Sequence, residues 1–161
     1  MADDESMLDR IRALLDAHDV PYREAHHAPT RTSEESASAR GEPMEIGGKA
    51  LLVKVDDAFA LFVLSAALQL SSRRIRKELG ARRTRFASPD ELHAMTGLVP
   101  GCVPPFGRPI LPFDLYVDGS IVENDRIAFN AGSLTDSMIL AREDWQRVAA
   151  PTRIVRISRS G

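Results

Sequence analysis

Hydrophobic positions recur along this chain at two spacings. Met7, Ile11, Leu14 and Leu15 return every three or four residues, the repeat of a helix with one apolar face. Ser6 stands before them as a cap, and the pattern ends ahead of Val20-Pro21. Pro21 to Ala25 is a candidate short strand, and His26 to Pro29 reads as a loop. Thr32-Ser33-Glu34-Glu35 fits a capping box, in which the Thr hydroxyl takes an orphan backbone N–H and the Glu reaches back, so a short helix follows to about Arg40. Gly41 to Gly48 is rich in glycine and reads as a turn or loop.

The spacing then changes. Lys49 to Val55 (KALLVKV) predicts a strand with a strongly apolar face, and Asp56-Asp57 turns it into Phe59 to Leu64 (FALFVL). That second run is apolar throughout, the mark of a strand buried on both faces. Ser71 or Ser72 caps a basic helix that runs to Leu79 and is stopped by Gly80. Arg82 to Phe86 is a further candidate strand. Ser88-Pro89-Asp90-Glu91 is the clearest helix start in the chain, with a Ser cap, Pro at the first helical position and Glu at the third. Gly97 ends that helix. Prolines at 100, 104, 105, 109 and 112 keep Leu98 to Pro112 from forming regular structure. Strands are predicted at Leu115 to Asp118, Arg126 to Asn130 and Ser137 to Leu140, a helix at Glu143 to Ala149, and an edge strand at Arg153 to Ser158. The sum is a mixed α/β fold in which helices surround a central sheet.

Composition narrows the classes. A chain of 161 residues, 43% hydrophobic and 27% charged, is expected to be a single domain, residues 1–161, with a self-sufficient core. No stretch approaches the roughly 20 apolar residues of a membrane span, so no membrane partner is expected. Lys plus Arg number 21 against 23 Asp plus Glu, so the chain is no uniformly basic nucleic-acid coat, although a local basic face stays open. Cys102 is the sole cysteine, which leaves neither an intrachain disulfide nor a cysteine-built zinc site. Met1 to Met7 is acidic without an apolar core, unlike a secretory signal, and the expected compartment is the cytoplasm.

Candidate chemistry concentrates in a few places. In the loop Gly97 to Gly107, Gly101 admits a ligand close to the backbone, and the flanking prolines stiffen the loop. The N–H groups of Gly101, Cys102 and Val103 could face an ester or carboxylate oxygen as an oxyanion hole does; a rigid loop without a ligand is the alternative. Lys49 follows Gly47-Gly48 at the head of a buried strand, where it could hold a phosphate or simply snorkel to solvent. Cys102 could be a nucleophile with His26, His27 or His93 as base, or an inert small hydrophobe. His26-His27 lacks a third metal ligand at useful spacing, and no metal or cofactor is expected. Gly132-Ser133-Leu134-Thr135-Asp136-Ser137 could grip an ammonium or hydroxyl group, or be a plain turn. Arg73, Arg74, Arg76 and Lys77, continued by Arg82, Arg83 and Arg85, form a basic run that could meet RNA phosphates or be a solvated face. No aromatic residues interleave it, so base stacking is not suggested.

Three of these segments, in this order and spacing, resemble the YbaK and prolyl-tRNA-synthetase-associated editing domains. They are His27-Ala-Pro-Thr-Arg-Thr32-Ser-Glu-Glu35, Lys49-Ala-Leu-Leu-Val, and Thr96-Gly-Leu-Val-Pro-Gly101-Cys-Val-Pro-Pro105-Phe-Gly. The resemblance covers roughly Val20 to Val148. It implies a central, partly barrel-like mixed sheet, and hydrolysis in trans of the ester joining a wrong small amino acid to tRNA(Pro). The loop from Gly101 through Pro104 to Pro105 would hold the aminoacyl carbonyl and Lys49 the phosphate side of the terminal adenosine. A water, helped by a hydroxyl of the terminal ribose, would attack, and Cys102 would only line the site. Thr32, Gly132, Ser133, Thr135 and Asp136 would shape the amino-acid end, and Arg73, Arg74, Arg76 and Lys77 would meet the acceptor end of the tRNA. Prolyl-tRNA synthetase is a possible partner. Arg31 stands where relatives often carry an aromatic, and Gly132-Ser133 where alanine-clearing relatives have His-Pro. Two other readings stay open: a binding module that holds an aminoacyl-tRNA or nucleotide without turnover, and a cysteine-dependent hydrolase of small esters.

Overall fold

The computed structural model describes residues 6–30 and 32–160; Arg31 and most of the acidic N-terminal stretch lie outside them. Helix α1 (Met7–Ala17) precedes β1 (Arg23–His26) and α2 (Ser33–Arg40). A single 3-10 turn at Met44–Ile46 then leads into the long hairpin β2 (Gly48–Val55) and β3 (Ala58–Ser65). Next come β4 (Leu68–Leu70), α3 (Ser72–Leu79), β5 (Thr84–Phe86) and α4 (Pro89–Thr96). After the proline-rich loop the chain forms β6 (Leu115–Asp118), α5 (Gly119–Val122), β7 (Arg126–Asn130), β8 (Asp136–Ala141), α6 (Arg142–Ala149), β9 (Arg153–Val155) and β10 (Ser158–Ser160).

Five strands form a mixed sheet in the order β5-β2-β3-β6-β9, parallel at β3–β6 and β6–β9 and antiparallel elsewhere. A second, antiparallel sheet has the order β1-β8-β7, and β4 pairs with β10 in a ribbon. One parallel bridge, Gly47 to Ala128, joins the two sheets at the head of β2, and the site lies beside this seam.

β3 divides the interior. Leu61 and Val63 point into the larger core with Ile11 and Leu15 of α1, while Ala60, Phe62 and Leu64 point into a second core with Ile75 of α3. The uninterrupted apolar run is therefore two interleaved faces of one strand, each covered by a different helix. Phe62 is fully buried and stacks on Tyr116 at 5.2 Å between ring centres, so Phe62→Ala would cost about 3–5 kcal/mol.

Capping follows the local signals. Thr32 and Ser88 both close capping boxes, with Glu35 and Glu91 respectively, and Ser71 rather than Ser72 caps α3. Elsewhere the structure differs from the sequence pattern. His26 ends β1 instead of opening a loop, because it pairs with Asp136 of β8. Leu68–Leu70 forms a strand, having β10 as a partner. Arg153 to Ser158 is not one strand. The buried carboxylate of Asp118 accepts the Ile157 N–H and the Ser158 hydroxyl, both at 2.8 Å, and this breaks the segment into edge strand β9 and ribbon strand β10.

Candidate active site

A cleft of about 180 Å³ opens where α2, the head of β2, β7 and the Gly101 loop meet. Its floor is the seam between the sheets. Lys49 enters from the second residue of β2, and Thr32, Ser33 and Ser36 come from the first half of α2. Gly101 and Val103 form the wall contributed by the loop.

The loop is held from several sides. Val103, Pro104, Pro105 and Phe106 are buried, and the indole N–H of Trp145 donates to the Pro105 carbonyl at 3.0 Å. The Gly132 N–H donates to the Cys102 carbonyl at 3.0 Å. Gly101 itself is exposed with φ +92°, a backbone state that favours glycine, and its carbonyl accepts from Asn130 Nδ2 at 2.7 Å. The Cys102 N–H donates to Val99 O at 3.1 Å, so it is already engaged. The Gly101 and Val103 N–H groups have no acceptor among the described residues, and both residues line the cleft. Two donors, not three, are thus free to meet a ligand oxygen.

Two cations face the same space. Lys49 is half-buried with no hydrogen bond or ion pair among the described residues. Burial pushes its ammonium below the ordinary lysine range, and the charge of Glu34 pulls partly the other way. Arg40, at the C-terminal end of α2, is 9% exposed. Its Nε donates to Ser137 Oγ and its Nη2 to Asn130 Oδ1, each at 2.9 Å. No carboxylate pairs with it, and burial alone lowers its pKa to about 10, which still leaves it charged at neutral pH. The nearby Glu42 is committed elsewhere, to Arg23 and Arg126. Around Arg40 the bonds close into a network. His27 Nδ1 lies 2.9 Å from the Ala28 carbonyl and its Nε2 2.9 Å from Ser137 Oγ, which also lies 3.2 Å from Asn130 Oδ1. Asn130, held by Arg40, in turn holds the Gly101 carbonyl, so a buried guanidinium positions the loop through one amide.

Residues 27–148 match the aminoacyl-tRNA editing domain family. The chain belongs to that family. The editing domain is accordingly a hydrolase of the aminoacyl ester, acting on tRNA. It is 35% identical over 148 residues to the multifunctional Ser/Thr-tRNA deacylase ProXp-y of Escherichia coli (strain K12), a match spanning 88% of this chain and 87% of that protein. A 101-residue stretch is 38% identical to part of the proline–tRNA ligase of Shouchella clausii (strain KSM-K16), 63% of this chain against 18% of the ligase. A solved structure described as a candidate trans-editing enzyme for prolyl tRNA synthetase superposes with a TM-score of 0.80 at 20% identity, over 95% of this chain and 97% of that one, and so shares the fold.

Of the residues singled out in the sequence, the editing domain gathers Lys49, Gly101, Val103 and Thr32 at the cleft. Cys102 is 6% exposed in the larger core, with its thiol pushed up by burial and no hydrogen bond to a histidine among the described residues. Pro104 and Pro105 brace the loop from behind. Gly132, Ser133 and Thr135, in the turn between β7 and β8, and Asp136, which opens β8, sit outside the cleft lining. There Ser133 Oγ and Thr135 Oγ1 bond each other at 2.9 Å, Asp136 binds His26 and Thr135, and Gly132 packs on Met7 of α1. The basic run divides: Arg73, Arg74 and Lys77 line one groove, and Arg76 lines another with Arg82, Arg83 and Arg85. Sequence reasoning missed Arg40 and Asn130. The only available signal was an arginine closing a helix and immediately followed by glycine, which is an ordinary C-terminal pattern. Among the described residues no cluster of three or more His, Cys, Asp or Glu is placed to hold a metal ion, and no helix is long and apolar enough to cross a membrane.

Proposed function

We propose that this chain is a single editing domain that clears a hydroxyl-bearing amino acid, serine or threonine, from wrongly charged tRNA(Pro), in the cytoplasm and alongside prolyl-tRNA synthetase. The observation that carries the reading is that two cations without an ion pair, Lys49 and Arg40, line the same cleft as Gly101 and Val103, whose N–H groups have no acceptor among the described residues. A tRNA 3′ end brings both anionic phosphate and an ester carbonyl, and this cleft offers a partner to each.

In this reading Lys49 holds the phosphate next to the terminal adenosine. The Gly101 and Val103 N–H groups take the ester carbonyl oxygen as negative charge develops on it, and Pro104 and Pro105 keep the loop from relaxing. A water attacks the carbonyl carbon and passes its proton by way of a hydroxyl of the terminal ribose. The ester C–O bond breaks, leaving free amino acid and the tRNA hydroxyl. Thr30 and Ser36, hydrogen-bonded to each other at 2.8 Å, and the Arg40 guanidinium supply polar partners to a substrate hydroxyl. A site that hydrogen-bonds a substrate hydroxyl rejects analogues lacking it far better than an apolar pocket rejects a missing methylene. The name of the Escherichia coli relative agrees with this assignment. The buried, raised Cys102 thiol speaks against a cysteine nucleophile.

The test is deacylation of tRNA(Pro) charged in turn with serine, threonine, alanine, cysteine and proline, at substoichiometric protein. Rapid loss of seryl or threonyl ester with the prolyl ester spared is expected. Protection of every ester would mean a binding module, and selective loss of the alanyl or cysteinyl ester would overturn the hydroxyl assignment.

A further inference from the structure

The basic helix α3 does not present one positive face. Arg73, Arg74 and Lys77 line a groove of about 370 Å³ whose opposite wall is Arg156, between β9 and β10. None of these four side chains pairs with a carboxylate among the described residues. The one acid in the groove, Glu78, is engaged by the Arg153 side chain and the Arg156 N–H. On a chain with formal net charge −2, four converging unpaired cations are a local departure, not a background. Arg76 faces away, into the groove with Arg82 and Arg83, and there Asp56 and Asp57 dilute the charge.

The two grooves also differ in where they lie. The Arg76 groove includes Lys54, five residues along β2 from Lys49, so it sits about 17 Å down the strand from the head of the cleft. The Arg73 groove opens into a larger cavity that shares Arg74 and Arg156 with it and includes Leu68 and Ser120. Ala66 lines the catalytic cleft and Leu68 lines that cavity, and two virtual Cα bonds, about 7.6 Å at most, separate them. The Ser65 N–H donates to Ser120 Oγ at 3.1 Å, which fixes this shared rim. The mouth of that cavity therefore lies beside the cleft, and the cavity itself, which also carries Glu78, Asp118 and Glu123, joins the cleft's rim to the Arg73 groove.

We infer that Arg73, Arg74, Lys77 and Arg156 form a phosphate track for the RNA strand whose 3′ end occupies the cleft. The inference rests on the reading of that cleft as the aminoacyl-end site. With no aromatic side chains in the groove, the contact is to backbone phosphate. It positions the tRNA without reading its sequence.

The experiment compares the wild-type protein with Arg73→Ala/Arg74→Ala/Lys77→Ala and, as a charge-matched control from the other groove, Arg76→Ala/Arg82→Ala/Arg83→Ala. Positions 73, 74 and 77 are exposed and alanine favours helix, so that triple variant should keep its fold, checked by circular dichroism. Affinity for uncharged tRNA(Pro) is measured across a salt series. The triple variant is expected to bind about tenfold or more weakly at low salt, with its log–log salt slope shallower by about 2–3, roughly one per lost phosphate contact. The control should keep the wild-type slope. Deacylation of seryl-tRNA(Pro) should fall mainly through KM, and several-fold more than deacylation of a short seryl-oligonucleotide ending in CCA. An unchanged slope in the triple variant, or a loss confined to the control, overturns the track. Failure of the wild-type protein to hydrolyse either ester would overturn the deacylase reading, while the salt series would still decide the track.

Discussion

Arginines and lysines are held in two ways in this molecule. Around the periphery, the α3 groove excepted, many are paired: Arg12 bridges Asp9 and Glu24, Arg85 meets Glu91, Arg126 meets Glu42 and Arg153 meets Glu78. Each of these pairs fastens a local turn or links neighbouring elements. In the cleft, Lys49 and Arg40 are more buried and form no ion pair, Glu34 acting on Lys49 only through the field of its charge. Burying a cation without a counter-charge is unfavourable, and a fold selected for stability alone would have paired or replaced these two. On the proposed function, the difference separates charges that hold the protein together from charges kept for an anionic visitor.

The comparison can be broken at either end. Lys49→Ala should bring the largest effect, a fall in deacylation on the order of 100-fold. The midpoint of thermal unfolding should stay level or rise, since an unpaired buried charge is removed. A variant with full activity would return Lys49 to the structural class. Arg40→Ala should do both kinds of damage. It takes the guanidinium donors from Ser137 Oγ and from Asn130 Oδ1, which keeps only the Ser137 hydroxyl at 3.2 Å, and loosens the Gly101 loop, so stability should fall by about 1–3 kcal/mol in denaturant unfolding and deacylation by about tenfold. Arg40→Lys should restore little, because an ammonium cannot reproduce two bonds in the guanidinium plane. Cys102→Ala sharpens the contrast from outside the charged set: about 1–2 kcal/mol of stability lost from the core, with deacylation kept within about twofold. The smallest effect belongs to a peripheral pair. Arg85 and the helix cap hold the Glu91 carboxyl down at about 2, against an ordinary 4.5. A depressed carboxylate contributes its full stability above the ordinary value and loses it as pH falls toward 2. Glu91→Gln should therefore lower stability slightly at pH 6 and not at pH 2, with no change in deacylation.

What was legible in the sequence follows the range of the interaction. Capping boxes at Thr32 and Ser88 are written within four residues, and the structure has both. The apolar run Phe59 to Leu64 declared two-sided burial because both faces of one strand are visible in its composition. Lys49 and Gly101 were legible as chemistry because their neighbours, a double glycine and a run of prolines, constrain the backbone locally. Arg40 and Asn130 were not, since their meaning arises from a contact 90 residues apart. The break between β9 and β10 was hidden likewise: its cause, Asp118, lies 39 residues from Ile157. The basic run looked continuous because sequence order does not show that Arg76 turns away from Arg73 and Lys77 around the helix.

The turn after β7 carries one more consequence. A Cβ built on Gly132 would lie 2.4 Å from the Met7 Cγ, and the residue stands at φ +78°. Position 132 can gain a side chain only where position 7 gives one up, and then only one suited to a left-handed backbone. Among related chains these two positions, 125 residues apart in sequence, should change together. A longer residue at 132 on this background would lift the first turn of α1 away from the loop, turning the N-terminal helix from a fixed wall into a lever on the turn that reaches the Cys102 carbonyl.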